Sequence, residues 1–431
     1  MTSPRFITIA LPVALTYLGL MTLGMVDLLL VGRLSGDLGP VAQGAVGIGT
    51  SFFSWFLVFG IGLLSSMDYF VSTAFGAGRS QDAVDSLVQC LWIATWLALP
   101  LTGALLGVAS NLELFGIHPE VAPLASSYLK ILSVSLWPVY LFAAARNFLQ
   151  AIHRVWEGFA LLVAANVLNY LLNLRWIPVL GTDGSAWATV VSRALMTLVL
   201  VGVALYFAKG KSRSFAPNFH RQWEHVRLGL PAALQTTAEV GVFAVSTILA
   251  GGLNPQSLAA HQIVLNLASL TFMVPLGIGT AAAVSVGFFV GRNEPALAAR
   301  QGWTALKLTL AFMACTALLF AAGARTLLSF YSMDSAVLQL AIPVLGVAAL
   351  FQLFDGTQTV LTGALRGWGD TRTAFLANVA GHWLIGLPLG VALGLGAGMG
   401  IFGIWIGLAV GLTAVAAVLI WKWAVLAGHP D

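Results

Sequence analysis

Charge is what this 431-residue chain lacks most. Asp, Glu, Lys and Arg make up 8% of it, against about 25% in soluble domains. With 59% hydrophobic residues and a mean hydropathy of +0.91, a water-soluble globular fold is excluded and a polytopic membrane protein is implied. Cysteine is nearly absent too. Cys90 and Cys315 both lie inside apolar stretches, which argues against a disulfide framework. The opening segment, MTSPRFITIALPVALTYLGL, has no short apolar region followed by a small-residue cleavage site. It reads as a retained first spanning helix and not as a signal peptide. The formal charge of +4 carries no nucleic-acid signal, and no nucleic-acid partner is expected.

What is present is a series of long apolar runs. About 20 apolar residues cross ~30 Å of hydrocarbon as helix, and twelve such spans can be marked: 7–32, 43–75, 87–109, 122–150, 157–180, 185–208, 228–252, 257–290, 301–323, 335–364, 373–395 and 399–425. Several are long enough to tilt or kink. Twelve spans put both termini on one side. That side collects Arg5, Arg79, Arg146, Arg154, Lys209, Lys211, Arg213, Arg221, Arg227, Arg292, Arg300, Lys307, Arg366, Arg372 and Lys422. The other side holds Arg33, Lys130, Arg175 and Arg325, with Arg193 inside span six. By the positive-inside rule both termini are cytoplasmic, in a multi-pass protein of the inner (plasma) membrane, with the bilayer as its surroundings.

The chain also repeats itself. Leu11-Pro12 opens span one and Leu230-Pro231 opens span seven; Gly60-Ile61-Gly62 recurs as Gly277-Ile278-Gly279, STAFGAGR (72–79) as SVGFFVGR (285–292), and Trp187 as Trp405. Each half has six spans and enters the membrane in the same orientation, so the pseudo-symmetry axis runs along the membrane normal, the parallel-repeat plan of many secondary transporters. The expected fold is therefore all-α: two pseudo-symmetric six-helix bundles, 1–208 and 228–431, joined by a basic cytoplasmic linker, 209–227, read as a topology determinant and flexible tether.

Against this background the acids inside spans stand out, because a charge at the bilayer centre costs roughly 2.5–3.5 kcal/mol or more. Asp27, Asp68, Glu239 and Asp355 are four such residues. At ~1.5 Å per residue, Glu239 lies roughly 18 Å from the level of Arg227 and Asp355 roughly 16 Å from that of Arg366, similar depths in one half. Asp27 lies nearer the outer end, roughly 9 Å from Arg33. The depth of Asp68 is blurred by the glycines of FGAGR. A single buried acid is often a neutral, hydrogen-bonded one, or one paired with arginine. Four acids with only Arg193 and Arg146 able to reach inward make that reading weaker. Desolvation penalises a carboxylate anion, so unpaired carboxyls can take up and release H+ or be neutralised by Na+. At an offset of 219, Asp27 maps to Ser246 and Glu239 to Leu20, so the acids were not copied with the scaffold.

Enzyme chemistry finds no support. Gly210-Lys211-Ser212 lacks the upstream glycine of a phosphate-binding loop, and neither HExxH nor GxSxG occurs. Gly367-Trp368-Gly369-Asp370 spells the GxGD of intramembrane aspartyl proteases, but between Arg366 and Arg372 it falls in a cytoplasmic turn. His261 and His382, each alone on an apolar helix, read as satisfied core or cavity groups and not as metal ligands. A channel would show a selectivity-filter motif, and none is visible. No catalytic residue and no cofactor is expected.

GMVDLLLVGRLSG (24–36), AAHQIVLNLASLTFMVPLGIGTAAAVSVG (259–287), LFQLFDGTQTVLTGALRGWGDTR (350–372) and HWLIGLPLGVALG (382–394) resemble signatures of the multidrug and toxic compound extrusion (MATE) transporters, with the Glu239 and Asp355 segments similar to the NorM-type branch. The resemblance spans nearly the whole chain. It implies a V-shaped pair of bundles that exports amphipathic organic cations in exchange for H+ or Na+ by alternating access, and works as a monomer. It matches Asp27 to the family's N-half acid and Glu239 with Asp355 to the C-half cation-site pair, ligands of Na+ if Na+ drives the cycle. NYLLN (169–173) resembles the family's NxxLN, making Asn169 and Asn173 candidates, with Gln262 and Asn266 as cavity residues on span eight. Asp68 departs from many bacterial members and is a further coupling or cavity candidate. A lipid or lipid-linked sugar flippase of the same superfamily is the alternative, but it needs a basic cavity for phosphates, and deep arginines are scarce.

Overall fold

In the computed structural model, residues 3–32, 38–210 and 214–428 are described. Arg33, Lys211 and Arg213 of the charge asymmetry lie outside them. The first part of the chain runs through α1 (Ser3–Val31), α2 (Leu38–Leu64), α3 (Met67–Gly76), α4 (Ser80–Ser110), α5 (Ala122–Ser133), α6 (Leu136–Ala151), α7 (Trp156–Leu180) and α8 (Thr182–Ala208). There follow α9 (Phe219–Leu253), α10 (Pro255–Gly291), α11 (Pro295–Ser329), α12 (Ser335–Trp368), α13 (Arg372–Asn378), α14 (Leu387–Val391) and α15 (Gly400–Gly428). Among the described residues eleven helical stretches are long and apolar enough to cross a membrane; α5 and α6, bent by 44°, make a twelfth if taken as one span. Such a chain forms helices because every backbone N–H and C=O in hydrocarbon must be satisfied within its own segment.

Three expected spans are irregular, each for a local reason. Span two breaks after Leu64, where Ser65 Oγ donates to Gly62 O (2.6 Å) and the Ser66 N–H bonds to Leu63 O (3.4 Å); serine side chains offer the backbone an alternative to the α ladder. Span four bends at Val134-Ser135. There Ser133 and Ser135 hydroxyls donate to Lys130 O and Leu132 O (both 2.7 Å), and Pro138 withholds a backbone donor one turn on. Span eleven departs most, with π-helical winding over Val379–Gly386 and Ala392–Gly396 on either side of α14.

The chain divides into two compact units, one of residues 15–233 and the other of residues up to Ala14 together with those from Leu234 onward. These borders differ from the sequence halves at 208 and 228. Ala14 belongs with the second unit because α10 presents it no side chain: a Cβ on Gly277 would stand 2.5 Å from the Ala14 Cα. The stretch expected to be a flexible tether is tied down from residue 214. Trp92 Nε1 donates to Phe215 O (2.9 Å), Gln89 Nε2 donates to Ala216 O (3.1 Å), and Arg221 pairs with Asp85 (3.3 Å) and Asp82 (3.5 Å), all on α4. α9 starts at Phe219, nine residues before the expected 228, burying Gln222 and His225.

In the second unit α12 packs against α10, α11 and α15. Buried aromatics fix its rotation: Phe351 stands edge-on to Trp405 (5.7 Å between centroids) and to Phe243 (6.2 Å). Glycine sets the approach of the helices. A Cβ on Gly363 would lie 2.0 Å from the Gly279 carbonyl oxygen, and one on Gly407 2.2 Å from the Gly390 nitrogen. Close backbone contact of this kind is what small residues provide in membranes, where helix association rests on packing. Gly363→Leu is accordingly expected to abolish recovery of monodisperse protein in detergent, while Gly24→Leu on α1, with nothing within 4 Å of its Cβ, is expected to leave it unchanged. Size-exclusion profiles of the two variants check this.

Candidate functional site

The first unit gathers four polar side chains into a closed network. α7 carries Asn166, Asn169 and Asn173, and spacings of three and four place them along one stripe of the helix. Asn166 ties that stripe to α1 by donating to Gly19 O (3.1 Å). The Asn173 Nδ2 donates to Asp27 Oδ1 (2.6 Å) and to Asn169 Oδ1 (3.0 Å). The Asn169 Nδ2 donates to Thr189 Oγ1 (3.1 Å), and the Thr189 hydroxyl donates to Asp27 Oδ2 (2.6 Å). All four side chains are buried. Both carboxyl oxygens thus accept from a neutral donor, the arrangement that suits an anion. The Asn173 Oδ1 has no hydrogen-bond partner among the described residues. The partly buried Arg193 of α8 lies within electrostatic reach of Asp27, but its guanidinium donates to Ser135 Oγ (2.9 Å) and covers the Phe53 ring at 4.9 Å.

In the second unit Asp355, on α12, lies within electrostatic reach of Glu239, on α9. Gln358, three residues beyond Asp355 and so on the same face of α12, donates its Nε2 to Glu239 Oε1 (2.9 Å). Asn378, at the end of α13, adjoins the Glu239 carboxyl. Trp383 donates to Ala238 O (3.1 Å), which fixes span eleven against this turn of α9. One turn towards the start of α9, Gln235 Nε2 donates to Thr362 Oγ1 (3.3 Å), a second polar rung between the same two helices. Glu239 is partly buried and Asp355 buried. No described lysine or arginine forms an ion pair with either acid.

The remaining candidates stand apart from these two clusters. Gln262 and Asn266 lie on an exposed face of α10, with Asn266 Nδ2 donating to the Gln262 carbonyl (3.0 Å). Asp68 is buried in the first turn of α3, just past the break in span two, and its carbonyl accepts from the Ser72 hydroxyl; it is not part of the four-residue network of Asp27. His261 is satisfied: its Nδ1 accepts from Trp405 Nε1 (3.1 Å), which leaves Nε2 to face Thr247 Oγ1 (3.0 Å). His382 differs from that expectation, since neither ring nitrogen has a partner among the described residues. No group of three or more His, Cys, Asp or Glu suited to a metal ion occurs among the described residues. Cys90 is buried and Cys315 exposed, both as free thiols. The sequence reasoning missed Thr189, Gln358 and Asn378. Helical spacing from Asp355 could have found Gln358; only tertiary packing shows the others.

Comparison with known proteins agrees with this layout. A family profile described as MatE matches residues 12–174 and 231–392, one stretch in each half. A probable multidrug resistance protein NorM of Mesorhizobium japonicum is 35% identical over 97% of this chain and 92% of its own length. One of Brucella suis is 32% identical over 96% and 90%. Among solved structures, the eukaryotic MATE transporter AtDTX14 superposes with a TM-score of 0.86 at 23% identity, covering 99% of this chain and 97% of its own. A multidrug resistance MATE family transporter in an outward-facing conformation gives 0.88 at 17% identity, covering 99% and 96%.

Proposed function

Because the chain belongs to the MatE family of multi-pass membrane transporters, we propose that it is a secondary antiporter exporting amphipathic organic cations in exchange for H+ or Na+. It is a transporter and not an enzyme. The observation that carries the coupling is the pair Glu239 and Asp355: two carboxyls from two helices, within electrostatic reach of each other and with no ion pair to a lysine or arginine among the described residues. Two like charges there repel and are both poorly solvated, so the site favours a bound proton or a small cation that neutralises it. The Asp27 network is a second protonatable site in the other unit. The residues that would hold Na+ are Glu239 and Asp355, oxygen donors suited to a hard cation.

Exchange follows from differential binding. Ion and organic cation need share no atoms; each has only to favour oppositely facing states of the transporter. The polar rungs between α9 and α12 support a site whose occupancy changes how these helices meet. Apolar and aromatic residues with Met suit many weakly discriminated ligands. The distribution of Lys and Arg supports an inner-membrane location with both termini in the cytoplasm. Protein reconstituted in liposomes is expected to move a fluorescent organic cation uphill when an opposing pH or Na+ gradient is imposed. Movement only down the compound's own gradient, whatever the ions do, would rule the proposal out.

A further inference from the structure

The first turns of α9, which belong to the first unit, are amphipathic in the wrong sense for water. Gln222 and His225 are buried, while Phe219 and Trp223 are 72% and 65% exposed. The polar side is held in place: Gln222 Nε2 donates to Gln89 Oε1 (3.1 Å), and His225 Nδ1 faces Ser66 Oγ (3.1 Å). Outward aromatics of this kind gather where hydrocarbon meets headgroups. The backbone just before α9 marks that level. Residues 214–218 are non-helical, and such backbone is not left against lipid tails. The Phe215 carbonyl accepts from Trp92 Nε1 (2.9 Å), so the turn of α4 that carries Trp92 stands at the boundary.

One face of α4 crosses this boundary. Asp85, Gln89, Trp92, Trp96 and Leu99 are spaced by four and three and so share it. Along that face charge gives way to amide, then to aromatic, then to aliphatic side chains. Trp92 and Trp96 stack (5.6 Å between centroids, 17° between planes), and Trp96 and Leu99 are exposed. At the charged end, between α4 and residues 214–221, lies a cavity of about 560 Å³ whose walls include Asp85, Gln89, Ser214, Asn218, Phe219 and Arg221. Small-molecule sites occupy about 300–1,000 Å³. The charged walls are one carboxylate and one guanidinium, paired at 3.3 Å. A guanidinium has five N–H donors and a carboxylate takes several, so this pair can each bind a further group.

We infer that this cavity holds the headgroup of a zwitterionic phospholipid, phosphatidylethanolamine, from the leaflet on the linker's side. Its phosphate lies against Arg221, its primary ammonium against Asp85, and its chains along Trp96 and Leu99. The inference goes beyond the transport reading: none of these residues belongs to the Asp27 network or to the Glu239–Asp355 pair. Charge complementarity selects the lipid. A primary ammonium has three N–H donors for the Asp85 carboxylate, and bonds between ionised partners are the strong ones. The quaternary ammonium of phosphatidylcholine has no N–H at all. Phosphatidylglycerol brings no cation to Asp85 and sets its negative charge beside that carboxylate. Bound there, the lipid bridges α4 and the linker, and so braces the start of α9.

The test is native mass spectrometry of the purified protein offered equal amounts of phosphatidylethanolamine, phosphatidylcholine and phosphatidylglycerol in detergent. Wild type is expected to retain one phosphatidylethanolamine about tenfold more tightly than either competitor, the scale of one hydrogen bond to a charged group. Asp85→Asn should still hold lipid, with phosphatidylethanolamine brought to within about twofold of phosphatidylcholine once that bond is lost. Trp96→Ala should weaken all three lipids alike, and it decides the matter if Asp85→Asn does not fold. Equal retention of the ethanolamine and choline lipids by wild type, tighter retention of phosphatidylglycerol, or no retained lipid would overturn the site. So would an unchanged preference in Asp85→Asn or unchanged retention in Trp96→Ala, since either places the lipid elsewhere.

Discussion

Glu239→Gln and Asp355→Asn are each expected to reduce gradient-driven efflux of an organic cation by about 100-fold, to the leak of vesicles without the protein. The scale follows from linkage: coupling free energies between two ligands run at about 1–3 kcal/mol, which is 5–150-fold, and an antiporter without its ion site has no coupling left. The amides are close in size to the acids, so packing of α9 on α12 should survive. Gln358 can still donate to an amide oxygen at position 239, which keeps the 2.9 Å contact while removing the charge. Binding of the organic cation in the absence of a gradient should therefore be nearly unchanged, separating loss of coupling from loss of fold. Efflux from everted vesicles, measured beside dye binding, checks both. Wild-type efflux in both variants would remove the pair from the mechanism.

Asp27→Asn is expected to have the second largest effect, a fall of about 10–100-fold in coupled efflux. Here the cause is the network as well as the charge. Both oxygens of Asp27 accept hydrogen bonds, from Asn173 and Thr189, and hydrogen bonds to charged groups contribute about 1.5–3 kcal/mol each. An amide in that place brings an NH2 group against one of these donors. The Thr189 hydroxyl could turn to accept it, but that oxygen already accepts from Asn169. Two companion variants isolate the cause. Thr189→Ser keeps the hydroxyl and should transport nearly as wild type, whereas Thr189→Val removes it and should lose about tenfold. Full coupling in Asp27→Asn would reduce the residue to a structural acid.

Much of this architecture is written in the composition. Long apolar runs, twelve in number, become eleven spans and one bent pair, because hydrocarbon leaves the backbone no alternative to helix. The acids of the two clusters are visible too, since a carboxyl in such a run costs too much to be incidental. What surrounds them is less visible. Thr189 stands on α8, sixteen residues from Asn173, and nothing in its spacing marks it as the donor to Asp27. Asn378 is hidden for a different reason. It stands at the end of α13, where π winding over Val379–Gly386 follows, and only packing brings it beside Glu239. The breaks at Ser65-Ser66 and Val134-Ser135 arise from serine hydroxyls competing for local carbonyls, a signal too weak against the apolar background. The tether also misleads: Arg221 looks like a topology charge in the sequence, yet it pairs with Asp82 and Asp85 of α4.

The central claim is exchange of an organic cation for an inward-moving H+ or Na+ through the Glu239–Asp355 pair. Its most direct test is a two-channel measurement on proteoliposomes, following a fluorescent organic cation and the ion together. A pH gradient is imposed in one run and a Na+ gradient at fixed pH in another. The account predicts uphill movement of the compound with simultaneous opposite flux of one of the two ions, and loss of both fluxes in Glu239→Gln. Compound movement with no opposing ion flux under either gradient would contradict it.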